Sequence, residues 1–321
     1  MTLFHQDCLP VFIILPDLHF TAIILLMRIV YLALLILVLA GGGCAPRSNS
    51  SIDTTPTAAA SYIQNKGSDT IVNLALAWPE AYQKEHPDVR ISVTGGGSGT
   101  GIAALINKTV DIANASRAIK PEEIDLAKKN GVEPVEFVVA RDAIAVIVNP
   151  DNPVNELTLQ QISDIYSGKI NNWNQVGGED RPIVRLSRET NSGTHVYFLE
   201  NVLRLGQKDN KTLFSTDTLL LPSSEGITAE TRDNPNAIGY DGLGYVVPEV
   251  KVLAVAKDEN QPYVLPSVDT VNAGTYPIAR ELYMYTAGQP GGAVKAYLDW
   301  ILTPEAQKIV TELGFVPAVK P

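Results

Sequence analysis

The sequence predicts an α/β fold with largely parallel sheets. Three observations carry that expectation. Segments patterned as strands alternate with segments patterned as helices through most of the chain. Two runs, Val135 to Val139 and Ala143 to Val148, are apolar and rich in β-branched residues, as strands buried on both faces are. Three helix starts carry hydroxyls, at Thr70, at Ser98, and at Ser192 with Thr194.

The front of the chain is set apart. Met27-Arg28-Ile29 leads into an unbroken apolar run from Val30 to Ala40, then Gly41-Gly42-Gly43-Cys44. A basic start, an apolar stretch and small residues before a cysteine read as an export signal over residues 1–43. The run is too short to span a bilayer. The cysteine at the cleavage point resembles the bacterial lipoprotein signal, although Gly41 stands where leucine is usual, and it implies a lipid on Cys44. Residues 1–26 mix His5, Cys8, Pro10, Pro16, Asp17 and His19 with apolar residues, so translation is expected to start at Met27. Residues 44–61 are rich in Ala, Pro, Ser and Thr and read as a flexible tether. With the signal removed, Cys44 is the sole cysteine and no internal disulfide can form.

After the tether, Val72, Leu74, Ala75, Ala77, Trp78 and Tyr82 form an amphipathic helical pattern, with Thr70 placed as its N-cap and Pro79 expected to kink or break it. Val89 to Val93 alternates like a strand. It runs into Thr94-Gly95-Gly96-Gly97-Ser98-Gly99-Thr100-Gly101 and then the helical pattern Ile102 to Ile106. Val110 to Ala115 reads as a strand ending in Ser116-Arg117. Pro121-Glu122-Glu123 opens a helix closed by Lys128-Lys129-Asn130-Gly131. Thr158-x-x-Gln161 is a capping box, residues 168–173 a loop, and Pro182 to Leu186 a strand. Arg188-Glu189-Thr190-Asn191-Ser192-Gly193-Thr194 then opens a helix through Val196, Phe198, Leu199 and Leu203. Residues 237–240, 250–256 and 276–285 read as further strands, and Thr303-Pro304-Glu305 caps a last helix that Gly314 ends.

The glycine-rich stretch is the most informative. A strand, a glycine turn and a helix leave free N–H groups where the helix dipole favours an anion, and Ser98 and Thr100 add hydroxyl donors. No lysine follows the glycines, which excludes a P-loop, and Thr100 stands where a dinucleotide fingerprint needs its third glycine. Ordinary N-caps would look the same one at a time. The net charge is −10, or −9 without the segment that holds Asp7, Asp17 and Arg28, which argues against nucleic acid and polybasic membrane binding. A small anion remains compatible, because helix termini and one buried arginine act locally while distant charges are screened.

Six motifs occur in order: Gly-Ser-Asp-Thr at 67–70, the glycine-rich stretch at 94–101, Asp-Ile-Ala-Asn-Ala-Ser-Arg at 111–117, Ser-Gly-Lys-Ile-Asn-Asn-Trp at 167–173, Arg188 with Ser192-Gly193-Thr194, and Ala-Ile-Gly-Tyr at 237–240. Together, from about residue 62 onward, they resemble the phosphate-binding proteins of bacterial phosphate ABC importers. The resemblance implies a two-lobed periplasmic-binding-protein fold of type II, with a two-strand hinge and a ligand cleft between the lobes. Lobe I is expected over 62–142 and 248–321, and lobe II over 143–247. It further implies phosphate contacts from the Thr70 hydroxyl, the Ile71 N–H, Ser98, Ser116, Arg188, Ser192, Gly193 and Thr194. The family's anion-facing aspartate falls on Ser116, so Asp69 becomes the candidate proton acceptor, with Glu189 second. The acid that steadies the binding arginine falls on Thr190, with Glu189 as a substitute. Arg117 is read as a surface residue.

The resemblance implies a monomer that binds inorganic phosphate outside the cytoplasmic membrane, lipid-anchored, and delivers it to ABC permease and ATPase subunits. Alternatives are a general oxyanion (sulfate or molybdate) binder and an anchored surface or signalling protein on the same fold. No cofactor is expected. An enzyme is not expected either: neither Ser98 nor Ser192 lies in a Gly-x-Ser-x-Gly elbow. With the signal removed, the two remaining histidines, His86 and His195, are too few for a zinc site.

Overall fold

A computed structural model describes residues 60–318. The export signal, Cys44 and the tether up to residue 59 lie outside the described residues. The first element is a strand that the sequence pattern conceals, β1 (Ser61–Gly67), whose inward positions are Ile63, Asn65 and Gly67. Two polar or side-chain-free residues out of three on the buried face leave almost no apolar alternation to read.

The chain continues through α1 (Val72–Glu85), β2 (Val89–Thr94), α2 (Ser98–Ile106), β3 (Ile112–Ala115), α3 (Pro121–Lys129) and β4 (Pro134–Val148). Then follow β5 (Glu156–Thr158), α4 (Leu159–Tyr166), β6 (Val184–Arg188), α5 (Gly193–Phe198), β7 (Leu219–Leu221), α6 (Ser224–Asp233) and β8 (Ala237–Gly242). The last elements are β9 (Lys251–Val252), β10 (Ala254–Ala256), α7 (Val268–Asn272), β11 (Ala279–Ala287), α8 (Gly292–Ile301), α9 (Pro304–Glu312) and β12 (Val316–Pro317). Helix α1 passes through Pro79 unbroken, and α5 widens into a π-helical turn at Leu199–Leu203. Thr158 and Gln161 close their capping box at the start of α4.

The main sheet runs β2-β1-β3-β11-β4-β8-β6-β7. Its two flanks, β2-β1-β3 and β8-β6-β7, are parallel, as helix crossovers require. The centre is antiparallel, since β11 runs against both β3 and β4, and β4 runs against β8. The sheet is therefore mixed, and the largely parallel expectation holds only for the flanks. Two runs read as separate strands, 135–139 and 143–148, are one strand, β4. Its first part pairs β11 up to Ala143, and from Ile144 it pairs β8. Arg141 and Asp142 do not break it, because each finds partners across the sheet.

Apolar side chains sort into large clusters on the two sides of this partner change. One joins Ile63, Trp78, Ile112, Leu282, Tyr297 and Phe315. Another joins Ile144, Ile162, Tyr166, Phe198 and Tyr240 with Leu253, Val255, Val271, Tyr276 and Ile278. The segment 250–278 thus packs with residues 143–243, whereas the expected boundary at 247/248 assigned it to the other side. The cause is strand pairing: β9 joins the end of β4, and β10 joins β5.

Candidate anion-binding site

Residues from both flanks meet where β4 changes partner. Thr70 lies in the turn before α1. It is not the cap of that helix, which starts at Val72 with Ile71 in the N-cap position. Its hydroxyl is instead 2.6 Å from the Thr194 hydroxyl, on the first turn of α5. Ser98 begins α2, and its oxygen accepts the Ser116 N–H at 3.0 Å and lies 3.3 Å from the Ser116 hydroxyl. Gly193 closes the group, because a Cβ there would come within 2.3 Å of Ser98 Oγ and 2.6 Å of Ser116 Oγ. Thr70, Ser98, Ser116, Gly193 and Thr194 therefore converge, and the four hydroxyl-bearing side chains are almost completely buried. Buried hydroxyls facing one another on loops that begin helices present donors to whatever separates them.

Ser192 and Arg188 behave differently. Ser192 caps α5, its oxygen accepting the N–H groups of Thr194 and His195. Arg188 ends β6 with both arms of its fork hydrogen-bonded. Nη1 donates to Ser224 Oγ at 2.8 Å, and Nη2 donates to Pro222 O at 2.8 Å and to Asp69 Oδ2 at 3.0 Å. The acid that steadies this arginine is thus Asp69, from the opposite flank, while Glu189 and Thr190 are exposed. Asp69 Oδ1 accepts the Gly96 N–H of its own flank, which holds the carboxylate in place while Oδ2 reaches Arg188 across the cleft.

The glycines of the 94–101 stretch serve the same closure. Gly97, at φ +90°, faces Asn191 O at a distance that would leave a Cβ 2.8 Å away, and Gly95 faces Asp69 Oδ1 at 2.4 Å on the same measure. Gly99 N–H donates to Asn191 O, and the Asn191 amide donates to Gly96 O. Gly97 and Gly99 admit Asn191 from the other flank and Gly95 makes room for Asp69 of its own, where the sequence alone suggested approach to a ligand.

Two arginines depart from what the sequence suggests. Arg117 is buried, not on the surface, and its guanidinium grips Glu123 through two bonds of 2.7 Å. Arg280, unnoticed in the sequence, enters the site from β11. It donates to Thr194 Oγ1 at 3.0 Å and to Ser116 O at 3.0 Å. A charged residue between Ala279 and the apolar positions of that strand was the available signal.

Buried titratable groups surround the cluster. Burial raises the Asp142 carboxyl above its ordinary value, against the opposing pull of Arg280. Burial likewise lowers His195, whose Nδ1 meets Ser187 Oγ at 3.0 Å while its ring stacks on Phe214. Asp241 bonds Ser224 and the Gly242 N–H through Oδ1, while Oδ2 is buried without a partner. Burial pushes its carboxyl up from 3.8 to about 6, although Arg188 opposes the shift. A raised folded-state value favours the protonated native form, so this contribution is fully present below 3.8 and is lost as pH rises through about 6. Asp241→Asn is therefore expected to match the unmodified chain at about pH 3 and exceed it by about 2–3 kcal/mol at pH 8. Denaturant melts of both chains at the two pH values check this, and an equal difference at both would contradict it.

Among the described residues no group of three or more His, Cys, Asp or Glu could hold a metal, and no helix is long and apolar enough to cross a membrane.

Comparisons with known proteins agree on one family. The family model described as a PBP superfamily domain matches residues 53–305. The phosphate-binding protein PstS of Pseudomonas aeruginosa is 31% identical over 272 residues, covering 79% of this chain and 82% of that protein. The Bacillus subtilis protein of the same name is 31% identical over 279 residues, covering 86% and 87%. A crystal structure from Clostridium perfringens, described as a putative phosphate ABC transporter substrate-binding protein with bound phosphate, superposes with a TM-score of 0.70 at 33% identity, covering 81% of this chain and 100% of that one. The chain belongs to the PBP superfamily and, within it, to the family of the phosphate-binding proteins of phosphate ABC importers.

Proposed function

We propose that this protein binds inorganic phosphate between two lobes outside the cytoplasmic membrane and delivers it to the permease and ATPase subunits of an ABC importer. The observation that carries this is the meeting of Thr70, Ser98, Ser116, Gly193 and Thr194 at one buried point between the flanks. The lobes are residues 60–142 with 279–318, and residues 143–278, joined by the two chain crossings at 142/143 and 278/279. Support comes from the two apolar clusters and from the partner change of β4.

The hydroxyls of Thr70, Ser98, Ser116 and Thr194 and the N–H groups of Ile71 and Gly193 donate to the anion. Ser192, which accepts the Thr194 N–H, orders the turn that presents Gly193 and the Thr194 hydroxyl. Arg188 supplies positive charge and, through Asp69, latches the lobes. Since the Thr70 and Thr194 oxygens stand 2.6 Å apart, a tetrahedral anion enters only when the lobes separate. Several charge-assisted bonds of about 1.5–3 kcal/mol each exceed the roughly 8 kcal/mol of a micromolar Kd, leaving a surplus against ordering and closure costs. Nothing in this role calls for catalysis, and a monomer suffices for it.

Calorimetry of the purified chain against phosphate, sulfate, molybdate and arsenate tests the reading. Saturable one-to-one binding of phosphate, tighter than that of sulfate, is expected. Comparable sulfate binding would make this a general oxyanion site. Lipid on Cys44 provides the tether to the membrane, so Cys44→Ser is expected to move the protein into the soluble fraction. An unchanged membrane fraction would refute the anchor.

A further inference from the structure

Arg280 and Asp142 face each other in register on β11 and β4, at the last pairs before β4 leaves β11 for β8. Asp142 is fully buried and Arg280 nearly so. Arg280 Nε and Nη2 both donate to Asp142 Oδ2, at 3.2 and 2.8 Å, and the Leu243 N–H donates to Asp142 Oδ1 at 3.1 Å. What remains of the guanidinium is spent on both lobes: Nη1 on the carbonyl of Ser116, from one, and Nη2 on the hydroxyl oxygen of Thr194, from the other. The carboxylate lies beside the site itself, since a Cβ at Gly242 would sit 2.9 Å from Asp142 Oδ2 and 3.2 Å from the Thr70 methyl.

We propose that Arg280, held by Asp142 at the strand crossing, is a positioning residue that fixes the Thr194 hydroxyl as a hydrogen-bond donor toward the bound anion. The proposal rests on the phosphate reading above. A hydroxyl has one hydrogen and two acceptor positions, whereas a guanidinium only donates. At Thr194 Oγ1 the guanidinium therefore occupies an acceptor position, and the hydrogen of Thr194 points elsewhere. Its neighbour at 2.6 Å is Thr70 Oγ1. When that bond forms, Thr70 in turn has its own hydrogen to offer. Once an anion separates the two threonines, the Thr194 hydrogen already points toward it, and Thr70, released from accepting, is free to turn its own hydrogen to the anion. Asp142 keeps the guanidinium from swinging into the cleft and neutralises it, so the device adds orientation without adding net charge. The hold on Ser116 O fixes the other half of the cluster through the same side chain, which ties the arrangement of donors to the closed form.

The test is a double-mutant cycle on the full chain, read by calorimetry with inorganic phosphate and by thermal melting without it. The paired substitution Asp142→Asn/Arg280→Gln leaves a neutral, hydrogen-bonded pair in place of the ion pair. It is expected to melt close to the unmodified chain and to weaken phosphate binding by at least about tenfold. In a Thr194→Val background, the same paired substitution is expected to cost less than about threefold, because the hydroxyl it orients is gone. If the pair does not fold, Arg280→Lys takes its place in the cycle, since lysine keeps a cation beside Asp142 but cannot span Thr194 and Ser116 together. Equal losses in both backgrounds, or unaltered affinity in the paired variant, would overturn this proposal while the phosphate reading stood. Absence of phosphate binding by the unmodified chain would overturn both.

Discussion

Gly193→Ala is expected to remove phosphate binding while leaving the protein folded. The added methyl carbon would lie 2.3 Å from Ser98 Oγ, 2.6 Å from Ser116 Oγ and 3.0 Å from Ser98 Cβ. Ser98 cannot rotate away freely, because its oxygen holds the Ser116 N–H. The clash exists only when the lobes are together. In the open form, alanine on the first turn of α5 is an ordinary helical residue that adds helix propensity. The expected loss in affinity is at least about a hundredfold, or roughly 3 kcal/mol. The melting temperature without phosphate should barely move. Calorimetry beside a thermal melt separates these outcomes, and retained affinity would mean that the lobes close on phosphate without Gly193 packing against Ser98 and Ser116.

Arg188→Ala is expected to be nearly as damaging to binding and to cost stability as well. It removes the partner of Asp69 across the cleft and strips the donors from Ser224 Oγ and Pro222 O. Asp241, close behind Ser224, loses the cation that opposes its desolvation. Removing one member of a buried pair costs on the order of 3–5 kcal/mol, with Asp69, partly open to solvent, placing this case at the lower end. Lysine should not rescue it, since a single ammonium cannot reach three acceptors arranged around a planar fork. A loss of affinity below tenfold, about 1.4 kcal/mol, would show that the wrong arginine carries the role.

The hydroxyl positions were legible in the sequence for a physical reason. Thr70, Ser98 and Thr194 each sit at a local junction, where a serine or threonine precedes or opens a helix, and local geometry survives in short motifs; Ser116, just past the end of β3, is reached only through the family resemblance. Thr70, Ser98, Ser116 and Thr194 could therefore be named one by one, although their convergence could not. What escaped notice depends on partners far along the chain. Asp69 and Arg188 are 119 positions apart, and Arg280 and Asp142 are 138 apart. No spacing rule joins such pairs, and a charged residue inside a strand looks like surface until its partner is seen. The glycine-rich stretch shows a subtler limit. Its need for close approach was readable, but the approaching group is Asn191 of the opposite lobe. The lobe boundary proposed above differs from the expected one for a similar reason, as short strands such as β9 and β10 pair with β4 and β5.

The central claim is that one phosphate occupies the point where the two lobes meet. A crystal structure of the chain grown with phosphate tests it most directly. The predicted result is a tetrahedral anion within about 3.2 Å of the Thr70, Ser98 and Thr194 hydroxyls and the Gly193 N–H, with those two threonine oxygens driven apart. An anion bound elsewhere, with Thr70 and Thr194 still in direct contact, would contradict it.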